Sequence, residues 1–301
     1  MIEVKNLYKS YGNKKFPVLK DIHMQVEKGK IHGLIGHNGS GKTTLIKCLT
    51  GIYAPDSGKI LVGGETVYDN PKVKEKIGYV ADSNQFFVGY KVIQLAKFYE
   101  KMYPGFLMKD FFEYNRIFMV NPEKRIRQLS KGQQMRVAFM LNLSMNPEIL
   151  ILDEPTSGLD AVAKHDLLNI LVSFVEQNGT TVIISSHHLL ELEKVCDTMT
   201  VLKNGRVEVE DEIENVKARV QKYQVVFPGG APKAFYELPQ MLHISNVGSV
   251  YTVTLQDSEM DFISIAEGMG AVLAEPMQVD LEEMFIHMNK GGMRHDQHNP
   301  I

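Results

Sequence analysis

Short apolar segments rich in β-branched residues alternate with longer amphipathic segments over the first 215 residues of the chain. A run of four to six apolar residues between polar or turn residues is typical of a buried strand, and the longer segments are typical of crossover helices. The alternation predicts an α/β layer built on a parallel sheet. The predicted strands span residues 2–4, 22–26, 31–35, 77–80, 149–152, 181–185 and 198–202.

Residues 91–119 depart from this pattern because they contain many aromatic residues and few β-branched ones. We expect a helical insert here, broken near Pro104 and Gly105, since proline and glycine interrupt helices. The apolar stripe of this insert is ordinarily interpreted as core, and a surface that docks a partner is the alternative. The stripe consists of Leu95, Phe98, Tyr99, Met102, Phe111, Phe112 and Ile117.

The pattern changes again after residue 215. A predicted strand at residues 223–227 ends in the turn sequence 228–230, and Tyr251, Val253 and Leu255 alternate with polar neighbours as in a half-buried strand. The order strand, helix, strand, strand, helix, strand, helix predicts a small α+β domain over residues 220–289. This order is close to a ferredoxin-like split βαβ unit.

The remaining segment, residues 290–301, is polar and glycine-rich, and we expect it to be disordered. The beginning of the chain lacks an apolar run of signal-peptide length, and no segment reaches the 18 or more apolar residues of a membrane span. These features predict a chain that is soluble by itself.

Composition narrows the classes of function. The 301 residues include 33 Lys and Arg against 36 Asp and Glu, which gives a net charge of −3. This balance argues against a protein that mainly coats nucleic acid, because such proteins need an excess of clustered cations. Cys48 and Cys196 are too far apart in sequence for a metal knuckle, and so few thiols suggest a reducing, cytoplasmic compartment.

The first segment with recognisable chemistry is GHNGSGKT at residues 36–43, directly after a predicted strand. It matches G-x-x-x-x-G-K-[ST], in which backbone N–H groups at a helix N-terminus converge on phosphate oxygens. We expect Lys42 to bind β- and γ-phosphates and Thr43 to ligate Mg²⁺. A glycine turn before a helix is the alternative, which the preceding strand disfavours. The candidate nucleotide-binding residues are Gly36, His37, Asn38, Gly39, Ser40, Gly41, Lys42, Thr43 and Thr44.

A second segment, ILILDE at residues 149–154, is an apolar strand that ends in two carboxylates. Ligands bind at the carboxyl ends of central parallel strands. Asp153 is therefore the expected Mg²⁺ partner, and Glu154 is the candidate general base for an attacking water. A pair of solvated acids at the start of a loop would be the better interpretation if the phosphate loop were absent.

A third segment, LSKGQ at residues 129–133, opens a predicted helix. Ser130 and Gln133 form an S-x-x-Q capping box that any helix could use. The functional alternative is that this helix N-terminus binds a γ-phosphate presented by another subunit. The position of the segment, 20 residues ahead of Asp153, favours the functional interpretation.

Together these segments resemble the ATPase of an ATP-binding cassette (ABC) transporter over about residues 1–215. Walker A lies at residues 36–43, the signature at 129–133, Walker B at 149–154, the D-loop at 157–160 and a switch histidine at His187. The resemblance implies a P-loop NTPase fold with a helical subdomain at about residues 86–145. It also implies ATP and Mg²⁺ as ligands.

The same resemblance implies roles for further residues. Tyr11 occupies the position at which an aromatic ring stacks on adenine, and His187 would contact the γ-phosphate and orient the water. Two cassettes would pair head to tail, as a homodimer or as a heterodimer with a homologous cassette, and Asp160 would signal across their interface. In that dimer one chain completes its partner's site through its signature residues Ser130, Lys131, Gly132 and Gln133.

Two positions depart from the usual family pattern. Asp82 stands where the family usually has a glutamine that touches Mg²⁺ and couples to the membrane subunit, and Gln85 is a weaker substitute. A carboxylate at position 82 is expected to bind Mg²⁺ still, but with a shorter reach. Lys131 stands where the commonest signature has glycine. LSKG and the ending at residues 275–285 resemble exporter-like bacterial cassettes of the multidrug, bacteriocin and acetoin type.

The resemblance therefore implies an ATP-hydrolysing subunit that powers transport through separate transmembrane permease subunits, at the inner face of the cell membrane. One alternative is a soluble ABC ATPase that clamps nucleic acid or ribosomes, but such proteins usually carry two cassettes, a coiled coil or basic arms. Another is a regulatory module that binds nucleotide without hydrolysing it, which would be expected to lack Glu154 or His187. The sequence leaves the transported substrate open.

Overall fold

The computed structural model describes residues 1–12, 16–83, 87–187, 189–256 and 261–282. The expected tail at residues 290–301, most of the last expected helix and Gln85 lie outside these ranges. The strands are β1 (Ile2–Tyr11), β2 (Phe16–Val26), β3 (Ile31–Ile35), β4 (Ser57–Val62), β5 (Glu65–Thr66), β6 (Ile77–Val80), β7 (Ile149–Asp153), β8 (Thr181–Ser186), β9 (Thr198–Lys203), β10 (Arg206–Glu212), β11 (Val220–Val226), β12 (Met241–Val247), β13 (Val250–Gln256) and β14 (Leu273–Met277).

The helices lie between these strands, as the alternating pattern predicts. They are α1 (Lys42–Leu49), α2 (Pro71–Lys74), α3 (Val92–Met102), α4 (Met108–Phe118), α5 (Lys131–Leu143), α6 (Ala161–Asn178), α7 (Leu189–Leu192), α8 (Ile213–Ala218), α9 (Lys233–Tyr236) and α10 (Phe262–Gly268).

In the described part of the chain a six-stranded sheet has the order β10-β9-β3-β8-β7-β6. The pairs β9–β3, β3–β8, β8–β7 and β7–β6 are parallel. All residues of β3, β7 and β8 are buried, which explains why these strands are almost wholly apolar. The predicted α/β layer on a parallel sheet is confirmed.

A second sheet, of order β2-β1-β4-β5, is antiparallel, and the sequence predicts it only in part. Strands predicted at residues 2–4 and 22–26 were too short, because β1 and β2 pair from Ile2↔Val26 to Tyr11↔Phe16. β4, β5 and β10 were missed. Each has mainly exposed or half-buried residues, so its hydrophobic pattern is weak.

The predicted helical insert is confirmed as α3 and α4, with the break at residues 103–107. The prediction that its apolar stripe is core was wrong for four residues. Leu95 and Phe111 are buried, whereas Phe98, Met102, Phe112 and Ile117 are exposed. The insert therefore has an apolar surface as well as a core.

The chain divides into two compact units. The first comprises Met1–His187 and Lys194–Glu210, and the second comprises α7 and the chain from Asp211 onward. The division lies a few residues before the boundary that we expected between residues 215 and 220.

The second unit contains an antiparallel sheet of order β12-β13-β11-β14. Tyr251, Val253 and Leu255 are buried, as their alternation predicts, and pack with Phe235 and Phe262. The described elements follow the order β-α-β-β-α-β, and the ferredoxin-like interpretation stays a prediction.

Candidate active site

The loop from Gly36 to Gly41 joins the buried strand β3 to α1. Close contacts favour glycine at two positions of the loop: a Cβ on Gly36 would lie 2.4 Å from the Leu202 carbonyl oxygen. Gly41 has a φ of +112°, a conformation that favours glycine, and a Cβ there would lie 2.8 Å from Leu19. The backbone can therefore turn tightly at the N-terminus of α1.

Lys42, the first residue of α1, lies at the floor of this loop and is 7% exposed. Its ammonium donates a hydrogen bond to the Gly36 carbonyl oxygen at 2.6 Å and lies 3.7 Å from Glu154 Oε1. A nearly buried ammonium at a helix N-terminus gives the loop a concentrated positive charge. Such a loop is suited to bind anionic phosphate groups.

Strand β7 brings the two predicted carboxylates to the same place. Asp153 is buried, and Ser185 Oγ on the neighbouring strand β8 donates to Asp153 Oδ1 at 2.7 Å. Burial raises the pKa of Asp153, although hydrogen bonds from Ser185 and Thr43 oppose this effect. The nearby negative charges of Glu154 and Asp82 also raise that pKa. A cation placed among these groups would stabilise the ionised form of Asp153.

Glu154, at the end of β7, has a φ of +50°, an uncommon conformation for a residue with a side chain. Its N–H donates to the Ser185 carbonyl oxygen at 3.2 Å and to Ser185 Oγ at 3.1 Å, which fixes this turn. Glu154 Oε2 lies 2.8 Å from His187 Nδ1, while its other oxygen faces Lys42. The carboxylate is therefore held between an ammonium and an imidazole.

These groups surround a cleft of about 510 Å³. Tyr11 lines it, and its hydroxyl lies 3.0 Å from Thr44 Oγ1. The Tyr11 ring contacts Tyr53 edge to face, with 5.9 Å between centroids, and remains 40% exposed. The residues that line the cleft are Tyr11, Val18, His37, Asn38, Gly39, Gly41, Lys42, Thr43, Thr44, Asp82, Glu154, Ser157 and His187.

Three other candidate residues of the two segments are not part of this lining. Ser40 is buried, and its Oγ has no hydrogen-bond partner among the residues that the structure describes. Gly36 accepts from Lys42, and Asp153, which directly precedes Glu154, is buried. The structure thus brings the Walker A and Walker B candidates together with Tyr11, Asp82 and His187.

The signature residues are placed differently. Ser130 is the N-cap of α5: its Oγ accepts from the Gln133 N–H at 3.2 Å, and its N–H donates to Gln133 Oε1 at 3.2 Å. The capping box is therefore formed. Among the described residues that line the cleft, none comes from Ser130, Lys131, Gly132 or Gln133.

The first turn of α5 instead contacts the D-loop of the same chain. A Cβ on Gly132 would lie 3.0 Å from the Gly158 carbonyl oxygen, so this position favours glycine. Asp160 caps α6 by accepting from the Ala163 N–H at 2.9 Å, and its second oxygen lies 3.3 Å from Arg136. Asp160 therefore links α5 to the start of α6.

Asp82 and Lys131, the two residues that depart from the family pattern, form an ion pair. Lys131 Nζ donates to Asp82 Oδ1 at 3.0 Å and lies 3.3 Å from Ser157 Oγ. Asp82 and Ser157 both line the cleft.

The role of Ser185, which donates to Asp153 and accepts from the backbone N–H of Glu154, was not predicted. The available signal was a polar residue near the end of an otherwise apolar strand. The contributions of Val18 and Ser157 to the cleft were also missed. They come from segments distant in sequence from the phosphate loop.

Comparisons with known proteins agree with this geometry. The family profile described as ABC transporter matches residues 19–157. The ABC transporter ATP-binding protein YtrB of Bacillus subtilis is 33% identical over 95% of this chain and 97% of its own length. The lantibiotic transport ATP-binding protein SrtF of Streptococcus pyogenes is 33% identical over 71% of this chain and 92% of its own.

A solved structure shares the fold. The dimeric structure of MJ0796, a bacterial ABC transporter cassette, superposes with a TM-score of 0.65 at 25% identity, covering 71% of this chain and 99% of the other. The names of these relatives do not favour the alternative of a clamp on nucleic acid or ribosomes. None of the helices in the described ranges has the length and apolar character that a membrane crossing requires. The chain belongs to the ABC transporter family, as an ATP-binding and ATP-hydrolysing subunit.

Proposed function

We propose that two cassettes pair head to tail, so that the ATP bound in one cleft is completed by the signature turn of the other. The observation that carries this proposal is that the nucleotide cleft and the signature turn are separate within one chain. The cleft holds Lys42, Glu154 and His187, whereas the described lining contains no signature residue. The partner is a second copy of this chain or a homologous cassette.

In this proposal Lys42 binds the β- and γ-phosphates, and Tyr11 stacks on adenine. Glu154 accepts a proton from the attacking water, and His187 holds Glu154 and faces the γ-phosphate. The 2.8 Å contact between Glu154 and His187 supports these roles, because it orients a carboxylate oxygen at the wall of the cleft. Ser130, Gly132 and Gln133 of the partner cassette supply the opposite wall.

We further propose that Thr43, Asp153 and Asp82 bind the Mg²⁺ that accompanies ATP. Mg²⁺ in nucleotide sites is held by one or two carboxylates together with phosphates and water. Asp153 lies close enough to Thr43 to accept a hydrogen bond from its hydroxyl, so a carboxylate and a hydroxyl oxygen are already adjacent, which fits this donor set. The cation would supply charge neutralisation for the transferring phosphoryl group.

An apolar patch formed by residues 87–90 and by Phe98 of the helical insert is the proposed docking site for transmembrane permease subunits, with the cassette at the inner face of the membrane. Phe87, Val88, Tyr90 and Phe98 are all exposed. Phe87 contacts Tyr90 and Phe98, with centroids 5.2 and 5.6 Å apart, so the aromatic rings form one patch. A contiguous exposed apolar patch marks an interaction site.

For the domain organisation we propose an ATP-binding cassette over residues 1–215, with its helical subdomain at about 86–145, and an accessory α+β domain over 220–289. The division of the chain near Asp211 supports this assignment.

The decisive experiment compares Glu154→Gln with Glu148→Gln. Both residues flank β7, but Glu148 pairs with Lys76 at 3.3 Å, and both of these side chains are exposed. Glu154→Gln is expected to bind ATP with unchanged affinity while its Mg²⁺-dependent turnover is nearly abolished, and Glu148→Gln is expected to turn over normally. Wild-type hydrolysis by Glu154→Gln would contradict the assigned base.

A further inference from the structure

Lys131 occupies a position that the stability of its helix does not explain. It is the first residue of α5, where a helix carries a partial positive charge that disfavours a cation. The first turn of α5 contains no acidic residue that would offset this charge. The charge is balanced instead by Asp82, which follows β6 and lies 49 positions earlier in the sequence.

The Lys131 ammonium joins two parts of the cleft wall. It donates to Asp82 at 3.0 Å and to Ser157 Oγ at 3.3 Å, and both of these residues line the nucleotide cleft of the same chain. Lys131 itself lies in the signature turn, outside that lining. One side chain therefore connects the turn offered to a partner with the wall of the chain's own cleft.

A second contact holds the same two elements together. Asn142, near the end of α5, accepts a hydrogen bond from the Tyr79 N–H in β6 at 2.8 Å. Its side-chain amide nitrogen donates to the Ala138 carbonyl oxygen in the same helix, also at 2.8 Å. The α5 helix therefore contacts the β6 segment at both ends, through Asn142 and through Lys131. The residues contacted on that side, Tyr79 and Asp82, lie in one short stretch of the chain, residues 79–82.

The Lys131–Asp82 pair is also suited to exchange partners. Their side chains are 54% and 48% exposed, and exposed ion pairs shift an equilibrium only about two- to fivefold. A phosphate group carries more negative charge than a single carboxylate and competes effectively for an ammonium. The pair can therefore form in one state of the cassette and open in another.

We propose that Lys131 is a positioning residue for Asp82, and that their ion pair couples the nucleotide cleft of one chain to the signature turn with which that chain completes its partner's cleft. The proposal rests on the head-to-tail pairing proposed above. When the signature turn meets the partner's nucleotide, Lys131 exchanges Asp82 for phosphate. Asp82, which already lines its own cleft, is then released from the ion pair to bind there, so that occupancy of one cleft promotes occupancy of the other.

The test is a double-mutant cycle with Asp82→Asn, Lys131→Gln and the combined variant, all in the Glu154→Gln background. Binding of a fluorescent ATP analogue with Mg²⁺ and ATP-dependent dimerisation by light scattering are measured without turnover. We expect the fold-change in nucleotide affinity of the combined variant to differ from the product of the two single fold-changes by about two- to fivefold. Asp82→Asn and Lys131→Gln should each lower the Hill coefficient of nucleotide binding towards 1. Lys131→Arg, which keeps the positive charge, should leave that coefficient at the value of the parent chain.

A matched control is the exposed pair Lys203–Glu208, which is 2.9 Å apart and distant in sequence from the signature turn. Its cycle is expected to be multiplicative. Multiplicative effects at Lys131 and Asp82 in a chain that still dimerises, with unchanged Hill coefficients, would overturn the coupling alone. A parent chain that forms no ATP-dependent dimer would instead overturn the head-to-tail function and this proposal with it.

Discussion

His32 is a buried histidine at the centre of the parallel sheet, and it should make the cassette sensitive to mild acid. It lies on β3, directly before the phosphate loop, and is 0% exposed. Its two ring nitrogens lie 2.8 Å from the hydroxyls of Thr198 and Thr200 on the neighbouring strand β9. These partners are uncharged, so nothing in direct contact compensates a protonated ring.

Burial lowers the pKa of His32 from 6.5 to about 4. Between these two values the unfolded chain binds a proton that the folded chain does not, so the free energy of unfolding falls as the pH falls through this window. At 1.36 kcal/mol per pKa unit, the contribution of His32 lowers the free energy of unfolding by about 3 kcal/mol once the pH is below 4. About 2 kcal/mol of this decrease occurs between pH 7 and pH 5. This contribution is fully present above pH 6.5.

The assay is urea unfolding followed by far-ultraviolet circular dichroism at pH 7 and pH 5, for the wild type and for His32→Asn. The variant lacks the titrating ring, so other groups cancel in the comparison. The variant is expected to be less stable than the wild type at pH 7, because the smaller side chain leaves a cavity. Between pH 7 and pH 5 its free energy of unfolding should fall by about 2 kcal/mol less than that of the wild type. Equal losses in both proteins would refute the linkage argument.

Three further outcomes follow from the site and its surroundings. Lys42→Ala should abolish nucleotide binding measured by fluorescence, because it removes the cation at the floor of the phosphate loop; unchanged affinity would contradict the assignment. Ser185→Ala should lower the ATPase rate about tenfold, because the hydrogen bond that Ser185 donates to the buried Asp153 carboxylate contributes about 1.5 kcal/mol. An unaltered rate would exclude a positioning role for Ser185 towards Asp153. Phe98→Ser should reduce recovery of the cassette with its membrane fraction while the ATPase rate of the purified chain is unchanged, and undiminished recovery would argue against the proposed docking patch.

The sequence predicts well those parts of the site that depend on local backbone. The loop 36–41 is one continuous segment, and Lys42, which directly follows it, binds the Gly36 carbonyl oxygen at its start. Strand β7 is fully buried, so its apolar run and terminal carboxylates are visible in the sequence alone. The same holds for the capping box at Ser130 and Gln133.

Contacts between distant segments could not be predicted in this way. The pairing of Asp82 with Lys131 depends on how α5 packs beside β6, and the support of Asp153 by Ser185 depends on the register of β7 and β8. Edge strands such as β10 were missed because their side chains are largely solvated and leave no strong period. The apolar stripe of the helical insert was assigned to the core because periodicity does not show how many faces of a helix are covered.

Mixing two inactive variants shows whether each active site combines the cleft of one cassette with the signature turn of another. Lys42→Ala disables the cleft of its own chain, and Ser130→Arg disables the signature turn that it offers. A mixed dimer of the two has one site with both defects and one intact site. We expect mixing to restore Mg²⁺-dependent ATP hydrolysis to about a quarter of the wild-type rate, given random pairing and independent sites. A mixture that stays as inactive as either variant alone would contradict it.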